Sequence, residues 1–593
     1  MCGIAGLVGH SQVGADPGVL VRLTDALAHR GPDGQGTYAA GPCALVHTRL
    51  AIVDLHTGDQ PFTAHTKEGG EVALVANGEI YNNPELRAKM TGVAFKTQSD
   101  CEPPLHLYLK HGLDFTAHLR GMYAIAIWDG AAGAAGRLVL ARDPFGIKPL
   151  YYADTSKGFA FASEPQALIR AGLVTPGVNG QKRDELLQLQ FTTGRETVFE
   201  GIHRVLPGET LVVEDGRVVE HRHQPALPPG GPRRISRVQA LNDLDHVLND
   251  SVGVHQRADV PYGMFLSGGI DSSVLLAMMS RLNPGPVVAF TAGFSGTDVH
   301  DEREHARALA RAEGATHFEV DFGADDFWAL LPQIALHMDD PAADYAVLPT
   351  WKLAEKARAE GIKVVLAGEG GDELFAGYGR YRDAARWFFP KAMRRRGILE
   401  GLAVLREEDR SQAWRAGIAQ AGVDARDGGR TRLQAAQAQD IATWLPGDLL
   451  TKVDRMLMAH GVEGRVPFLD PAMADFAFTL PDGLKVKHRL GKHVLRHWLD
   501  TAMPAAKPFS KKRGFTVPVG EWIADKGRDV GDLVARQDCI QALCEPQRVR
   551  DVFRATGGRA GKAAWTLLFY ALWHKAHIDG ADMSGDVFDA LSA

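Results

Sequence analysis

Cysteine is the second residue of the chain, in Met-Cys-Gly-Ile-Ala-Gly-Leu. Removal of a methionine that precedes so small a side chain would leave Cys2 carrying its own α-amine. That amine has a reference pKa of about 7.7–8.0 and the thiol one of about 8.5. One residue can then supply a nucleophilic sulfur and a base that works near neutral pH. Taken alone, Cys2 reads as a buried structural residue; the segments behind it change that. Arg49-Leu50-Ala51-Ile52-Val53-Asp54 sets a cation beside apolar residues. Asn77-Gly78-Glu79-Ile80 follows an apolar strand, which puts its polar groups at a strand end, and Ser99-Asp100 precedes a helix. An enzyme that hydrolyses glutamine needs a guanidinium for the substrate carboxylate, a carboxylate for its ammonium, and N–H donors for the tetrahedral intermediate. Singly these residues read as a surface ion pair, a turn and a helix cap. As an ordered set behind Cys2 they supply every group on that list.

A second set lies further on. Ser267-Gly268-Gly269-Ile270-Asp271-Ser272-Ser273 stands between a strand and a helix. Its glycines let backbone N–H groups turn toward an anion, and the helix N-terminus adds its positive end. Asp271 repels phosphate, so it suggests a Mg²⁺ ligand. There is no Gly-Lys-Ser/Thr, so this is not a Walker A loop. Gly368-Glu369-Gly370-Gly371-Asp372-Glu373 follows another buried strand. Loops at the carboxyl ends of parallel strands gather on one edge of the sheet, where Asp271 and Asp372 can share a metal–pyrophosphate. Lys492, in Gly491-Lys492-His493-Val494-Leu495-Arg496, is a cation for developing negative charge, although by itself it reads as a solvated helix lysine.

The elements around these residues divide the chain. Up to about Val205 it runs as short strands, among them Ile4–Val8, Ala44–Val46, Val72–Val75, Met122–Trp128 and Leu138–Leu140, with Gly, Asp, Asn and Pro between them. Leu211–Val213 and Val218–Val219 flank Asp215-Gly216, a two-residue hairpin signal. Pro225–Arg234 holds four prolines and forbids regular helix or central strand. Beyond it, buried strands at Tyr262–Leu266, Val288–Ala292 and Lys363–Ala367 alternate with helical stretches, which implies a doubly wound parallel sheet. The last 200 or so residues read as mostly helical. At 593 residues, two to four domains are expected. The 66 Lys+Arg against 72 Asp+Glu give a net charge of −6, with no global attraction to nucleic acid or anionic membrane. No apolar run approaches the ~18–20 residues of a membrane span. Five cysteines cannot form a dense disulfide framework, and Cys539 and Cys544 lack partners at zinc-finger spacing. A cytoplasmic protein is the expectation.

These motifs carry a resemblance. Residues 2–205 resemble the class II glutamine amidotransferase domain, and 235–593 resemble the synthetase domain of the glutamine-hydrolysing asparagine synthetase family, with 206–234 as hairpin and linker. The second match rests on Val260–Ser273, Ala367–Tyr378, Lys452–Arg455, Arg465–Asp470, Gly491–Arg496 and Gly514–Trp522. The implied fold is α/β and α+β: an αββα N-terminal-nucleophile hydrolase sandwich, then a doubly wound parallel adenine-nucleotide α-hydrolase-like domain with a helical C-terminal part. By the resemblance, Cys2 forms a thioester with glutamine, and Asn77 with the Gly78 backbone makes the oxyanion hole. Arg49, the Leu50, Ala51, Ile52 and Val53 backbone, Asn77, Gly78, Glu79 and Asp100 hold glutamine. Leu266, Ser267, Gly268, Gly269, Asp271, Ser272, Ala292, Ala367 and Gly368 bind ATP, and Asp271 and Asp372 hold Mg²⁺. Glu369 and Lys492 support formation and breakdown of an acyl-adenylate. The partners implied are the small molecules glutamine, ATP and aspartate; the resemblance admits a homodimer, and the sequence does not fix the oligomeric state. The segment Asp339–Thr350, where relatives of one type carry an acceptor-binding arginine, has none, which leaves a sugar uronate or peptide carboxylate as the alternative acceptor. Gly464 and Val453 also depart from the family's pattern. The basic clusters Lys507–Arg513 and Arg394–Arg396 read as solvated surface, although the first, beside Gly514–Trp522, is also a candidate cover over the nucleotide or an anionic acceptor.

Overall fold

The structure is a computed structural model, and it describes residues 2–9, 16–133, 136–297, 301–386, 391–407, 411–426, 428–510, 517–555 and 557–592. Residues 511–516, which carry the end of the Lys507–Arg513 cluster and the start of the Gly514–Trp522 segment, lie outside the described residues.

Among the described residues the N-terminal part builds twelve strands: β1 (Gly3–Gly9), β2 (Gly34–Ala40), β3 (Cys43–Arg49), β4 (Phe62–His65), β5 (Glu71–Ile80), β6 (Gly121–Asp129), β7 (Arg137–Arg142), β8 (Tyr151–Thr155), β9 (Gly158–Ala162), β10 (His203–Arg204), β11 (Glu209–Glu214) and β12 (Arg217–His223). They form two six-stranded sheets, ordered β10-β8-β9-β1-β3-β2 and β12-β11-β7-β6-β5-β4. Strand alternation explains the layering. On β1, Ile4 and Val8 face the second sheet, where they meet Val75, Ala126 and Leu140. Ala5 and Leu7 face outward onto Leu23, Leu27 and Leu168 of helices Pro17–Leu27 and Pro165–Arg170. On β5, Val72, Leu74 and Ala76 pack outward onto Leu105 and Tyr108 of helix Pro103–His111. The result is the αββα sandwich. Asp215 and Gly216 take φ of 48° and 70°, the left-handed pair that a two-residue hairpin requires.

The C-terminal part adds β13 (Tyr262–Phe265), β14 (Val288–Gly293), β15 (Thr316–Asp321), β16 (Val364–Leu366) and β17 (Glu463–Arg465). They make one parallel sheet, ordered β15-β14-β13-β16-β17. One face, with Met264, Ala289 and Leu366, is covered by helices Arg237–His255, Ile270–Leu282 and His493–Ala502. The other, with Phe290 and Val365, is covered by Val347–Ala359 and Leu450–Met458. Helices on both faces are what a near-continuous apolar parallel strand demands. The 20-residue helix Gly558–His577 is buried along most of its length, and its Trp573 ring lies 5.2 Å from Phe199 of the N-terminal part. Among the described residues no helix is long and apolar enough to cross a membrane.

Candidate active sites

The first candidate site is where the edges of the two N-terminal sheets meet β17. Cys2 precedes β1 and is buried. Its N–H donates to Asn77 Oδ1 at 3.1 Å. Asn77 is fully buried, and its Nδ2 has no hydrogen-bond partner, which leaves one amide donor beside the sulfur-bearing residue. Asn77, Gly78 and Glu79 lie inside β5, paired with Ala124, Tyr123 and Met122, rather than beyond a strand end as the sequence suggests. The strand continues because its polar side chains turn into the site, so the pattern that signals a strand end is here a strand facing a cavity. A Cβ at Gly78 would stand 2.3 Å from the Met122 carbonyl oxygen, so only glycine fits.

A cavity of about 30 Å³ is lined by Cys2, Arg49, Leu50, Ile52, Val53, Gly78, Glu79 and Asp100. Ala51 is not on its wall; its N–H donates to Asp33 Oδ2 at 2.9 Å. Arg49 bonds Asp59 at 2.8 Å and the Asp54 carbonyl. Asp100 Oδ2 accepts the Ile80 N–H at 2.7 Å. Burial pushes the Asp100 and Glu79 carboxyls up, and Arg465, 2.9 Å from Glu79, opposes the latter. Burial also raises the Cys2 thiol, against the pull of the amino-terminal charge, a Leu50 backbone hydrogen bond and Arg49. A thiol held up in this way needs a base to take its proton. Cys101 is buried and also borders this cavity.

The second candidate site is a cavity of about 310 Å³ at the carboxyl edge of the parallel sheet. Its walls include Leu266, Ser267, Gly269, Asp271, Ser272, Ala292, Ala367, Gly368, Glu369 and Asp372. Gly268 forms the turn beside it, with φ 68°. The serine loop is held by its own polar groups: the Gly269 N–H donates to Ser267 Oγ at 3.3 Å, and Ser272 Oγ donates to the Gly269 carbonyl at 3.2 Å. Helix Ile270–Leu282 then points its N-terminus at the cavity edge. Lys492 is not on the wall and is no solvated lysine. It is 2% exposed, and its Nζ bonds Asp271 Oδ2 and, at 2.7 Å, Asp372 Oδ1. Burial would lower its pKa, but the two carboxylates outweigh it and raise it. A Cβ at Gly377 would fall 1.6 Å from Asp372 Oδ1 and 2.4 Å from Lys492 Cε, so glycine there is the condition for this cluster. Burial raises the Glu369 carboxyl against the field of Lys452. Lys452, which also lines the cavity, bonds Asp344 Oδ2 at 3.1 Å.

Further buried groups surround the two cavities, and of these Glu463 was not singled out by the sequence. Glu463, on β17, lines the first cavity from the C-terminal part. Burial opposes its ionisation, yet the amino terminus, Arg465 and Lys148 together pull its pKa down to about 2. Arg30 donates to the Cys2 carbonyl at 3.2 Å and grips Asp454 with two hydrogen bonds, of 2.7 and 3.0 Å. Asp339 bonds Arg455 at 2.6 Å, and Asp340 bonds Arg204 and the Tyr151 hydroxyl. These groups are all buried. Gly464 and Val453, which depart from the expected pattern, fit one another: a Cβ at Gly464 would meet Val453 Cγ1 at 2.9 Å. Arg394 is not solvated surface; its guanidinium lies 4.1 Å over the Trp444 ring. Among the described residues no cluster of three or more His, Cys, Asp or Glu is arranged to hold a metal, and the five cysteines are free.

Comparison with known proteins matches residues 1–224 to the family described as "Glutamine amidotransferase domain" and residues 243–575 to that described as "Asparagine synthase". The chain belongs to the asparagine synthase family. It is an ATP-dependent ligase that takes its nitrogen from glutamine. "Asparagine synthetase [glutamine-hydrolyzing] 1" of Bacillus subtilis is 29% identical over 98% of this chain and 97% of its own. "Asparagine synthetase B [glutamine-hydrolyzing]" of Escherichia coli is 29% identical over 89% of this chain and 84% of its own. "Amidase chry2" of Gibberella zeae is 28% identical over 86% and 87%. A shared two-part architecture therefore comes with differently named activities.

Proposed function

We propose that this protein is a glutamine-dependent asparagine synthetase. The observation that carries the reading is the placement of the two cavities. Glu463 of β17 lines the first, and the neighbouring strand β16 runs directly into Ala367, Gly368 and Glu369 of the second. One strand pair thus separates the site that can release ammonia from the site that can use it.

In this reading Cys2, freed of Met1, gives its thiol proton to its own α-amine and attacks the glutamine amide carbon. Asn77 Nδ2 and the Gly78 N–H receive the oxyanion, and the C–N bond breaks to a thioester and ammonia. Water then hydrolyses the thioester to glutamate. Arg49 pairs with the substrate carboxylate; Glu79, Asp100 and the Leu50–Val53 backbone hold its other end. In the second cavity Leu266, Ala292, Ala367 and Gly368 surround adenine and ribose, while Ser267, Gly268, Gly269 and Ser272 donate to phosphate oxygens. The β-carboxylate of aspartate attacks the α-phosphorus, and the bond to pyrophosphate breaks. Ammonia attacks the acyl carbon of the β-aspartyl-AMP, AMP leaves, and asparagine forms. Lys492 balances charge as the pyrophosphate departs, and Glu369 faces the acyl carbon to accept the ammonia proton.

Asp271 and Asp372 converge on one side of the cavity, both within reach of one Nζ. A carboxylate pair beside a phosphate-binding loop is the protein share that Mg²⁺ takes in nucleotide sites, so these residues fit that ion. Bound there, Mg²⁺ would offset the charge of the leaving pyrophosphate. We assign the glutaminase to 2–205, the hairpin and linker to 206–234 and the synthetase to 235–593.

The alternative reading keeps both half-reactions and changes the acceptor to a uronate or a peptide carboxylate. It is favoured by Asp339–Thr350, which has no arginine and spends Asp339 and Asp340 on partners at the domain interface. The test supplies ATP, Mg²⁺ and ammonium with and without aspartate, following pyrophosphate and identifying the amide by mass. Aspartate-dependent pyrophosphate with asparagine is expected. Pyrophosphate release only with another carboxylate would select the alternative.

A further inference from the structure

The cluster of Lys492, Asp271 and Asp372 has a second side. Gly377 and Gly491, which flank it, line a further cleft of about 330 Å³ together with Tyr378, Arg382, Arg489 and Arg496. A hollow of about 470 Å³ shares Gly379, Arg382 and Arg489 with that cleft and adds Arg386 and Asp383. The wall between the cleft and the nucleotide cavity is thin. Tyr378 lines both. A Cβ at Gly377 would collide with Asp372 Oδ1 and Lys492 Cε, and one at Gly491 would stand 2.2 Å from the Ala376 carbonyl oxygen. The partition is therefore Lys492, its two carboxylates and bare glycine backbone.

The cleft carries one sign of charge. Arg496 lies one turn beyond Lys492 on helix His493–Ala502, where its N–H donates to the Lys492 carbonyl at 2.9 Å. It is 3% exposed. Its Nε donates to the Gly491 carbonyl at 2.8 Å and its Nη1 to the Pro508 carbonyl; among the described residues nothing bonds Nη2. Arg382 donates to the Arg489 carbonyl, which ties the two sides of the cleft together. Asp383 is the one acid on these walls, and Arg386 at 2.6 Å and Lys391 at 3.3 Å already hold it. Among the described residues no carboxylate pairs with Arg382, Arg489 or Arg496. Guanidiniums gathered in this way suit phosphate oxygens, and a cleft of one sign draws the opposite ion in.

Adenylation makes such an anion next door. Pyrophosphate leaves the α-phosphorus while the acyl-adenylate must stay for ammonia, so the nucleotide side of the cavity is still filled when the leaving group has to go. We propose that the arginine cleft is a pyrophosphate subsite on the exit path: the anion passes Lys492, lodges among Arg382, Arg489 and Arg496, and departs through the hollow at Arg386. The inference rests on the ligase reading above and adds to it a separate door for one product.

The test titrates inorganic pyrophosphate calorimetrically into the full-length protein after α,β-methylene-ATP and Mg²⁺ have filled the nucleotide cavity. The wild type is expected to bind pyrophosphate under these conditions. Arg489→Asn suits the left-handed backbone at that position (φ 65°) and should weaken this binding about tenfold or more. Arg382→Gln should act in the same direction, and Arg489→Lys, which keeps the charge, should stay within about threefold of the wild type. Quench-flow during ammonium-dependent turnover should show Arg489→Asn forming pyrophosphate at the wild-type rate and releasing it later. Neither the KM for ATP nor glutamine hydrolysis at Cys2 should move, and the latter reports that each variant is folded. No pyrophosphate binding once the analogue is in place, or equal binding in Arg489→Asn and Arg382→Gln, overturns the proposal while the ligase reading stands. Failure of that reading shows separately, as no pyrophosphate formed with ammonium and any carboxylate; the calorimetry needs no turnover and decides the cleft in either case.

Discussion

The two cavities differ tenfold in volume, about 30 Å³ against about 310 Å³, and they are built differently. The small one is closed round a single nucleophile, with its polar groups held by neighbours: Asp100 by the Ile80 N–H, Arg49 by Asp59, Glu79 by Arg465. Its volume suits a water-sized occupant, so under the proposed reading glutamine enters only as these partners yield. The large one is lined with glycine and serine backbone and keeps its charges in a cluster at one side, Asp271, Asp372 and Lys492. Covalent catalysis needs one atom placed well, whereas adenylation needs space for a nucleotide and a second reactant. The lesson is that ammonia production and ammonia use place opposite demands on a pocket. The buried Arg30–Asp454 and Arg204–Asp340 pairs join the two parts that carry them.

The largest expected effect breaks the comparison on the side of the large cavity. Asp271→Asn or Asp372→Asn should abolish pyrophosphate release with either nitrogen donor and leave glutamine hydrolysis in place; retained release would remove these carboxylates from the phosphate site. Next comes the small cavity. Asn77→Ala removes one oxyanion donor and should lower the glutaminase kcat by about 10²–10³, with ammonia-dependent synthesis unchanged, which steady-state kinetics with the two donors would show.

A third change tests the clamp between the regions. Asp454→Ala leaves the Arg30 guanidinium buried with Glu164 as its remaining carboxylate. Breaking a buried pair in this way costs about 3–5 kcal/mol, so thermal unfolding should begin at a clearly lower temperature, and glutamine should be hydrolysed without stoichiometric amide. A variant as stable and as well coupled as the wild type would show the clamp to be idle.

The smallest effect is on stability rather than on either reaction. Lys485 is fully buried, bonded to the Gln437 side chain and the Phe478 carbonyl, and burial pulls its pKa from 10.5 down to about 7. The unfolded chain therefore binds the extra proton between about pH 7 and 10.5, so Lys485 makes stability rise with pH across that window. Lys485→Met should flatten that rise in a denaturant series while both activities persist; an unchanged pH profile would contradict it.

Much of both sites was legible in the sequence because short motifs placed backbone turns and charges together. The parallel sheet and the hairpin at Asp215-Gly216 followed from alternation and turn chemistry, and the sandwich from the family resemblance. Legibility stopped where function depends on pairing across distance. β17 is three residues, Glu-Gly-Arg, with no β-branched or aromatic side chain, and it is a strand because β16 lies beside it; propensity carries no sign of that. Arg30 pairs with Asp454, 424 positions away, which no local pattern signals. Lys492 looked solvated because a helical lysine ordinarily is, and only the fold brings Asp271, 221 positions away, to its Nζ.

The central claim is that Cys2 makes ammonia for a separate adenylating site in the same chain. The most direct measurement compares Cys2→Ala with wild type for amide formation and pyrophosphate release, using glutamine or ammonium as donor. The account predicts that the variant loses the glutamine-dependent product entirely and keeps ammonium-dependent product and pyrophosphate at wild-type rates. Equal loss with both donors would contradict it.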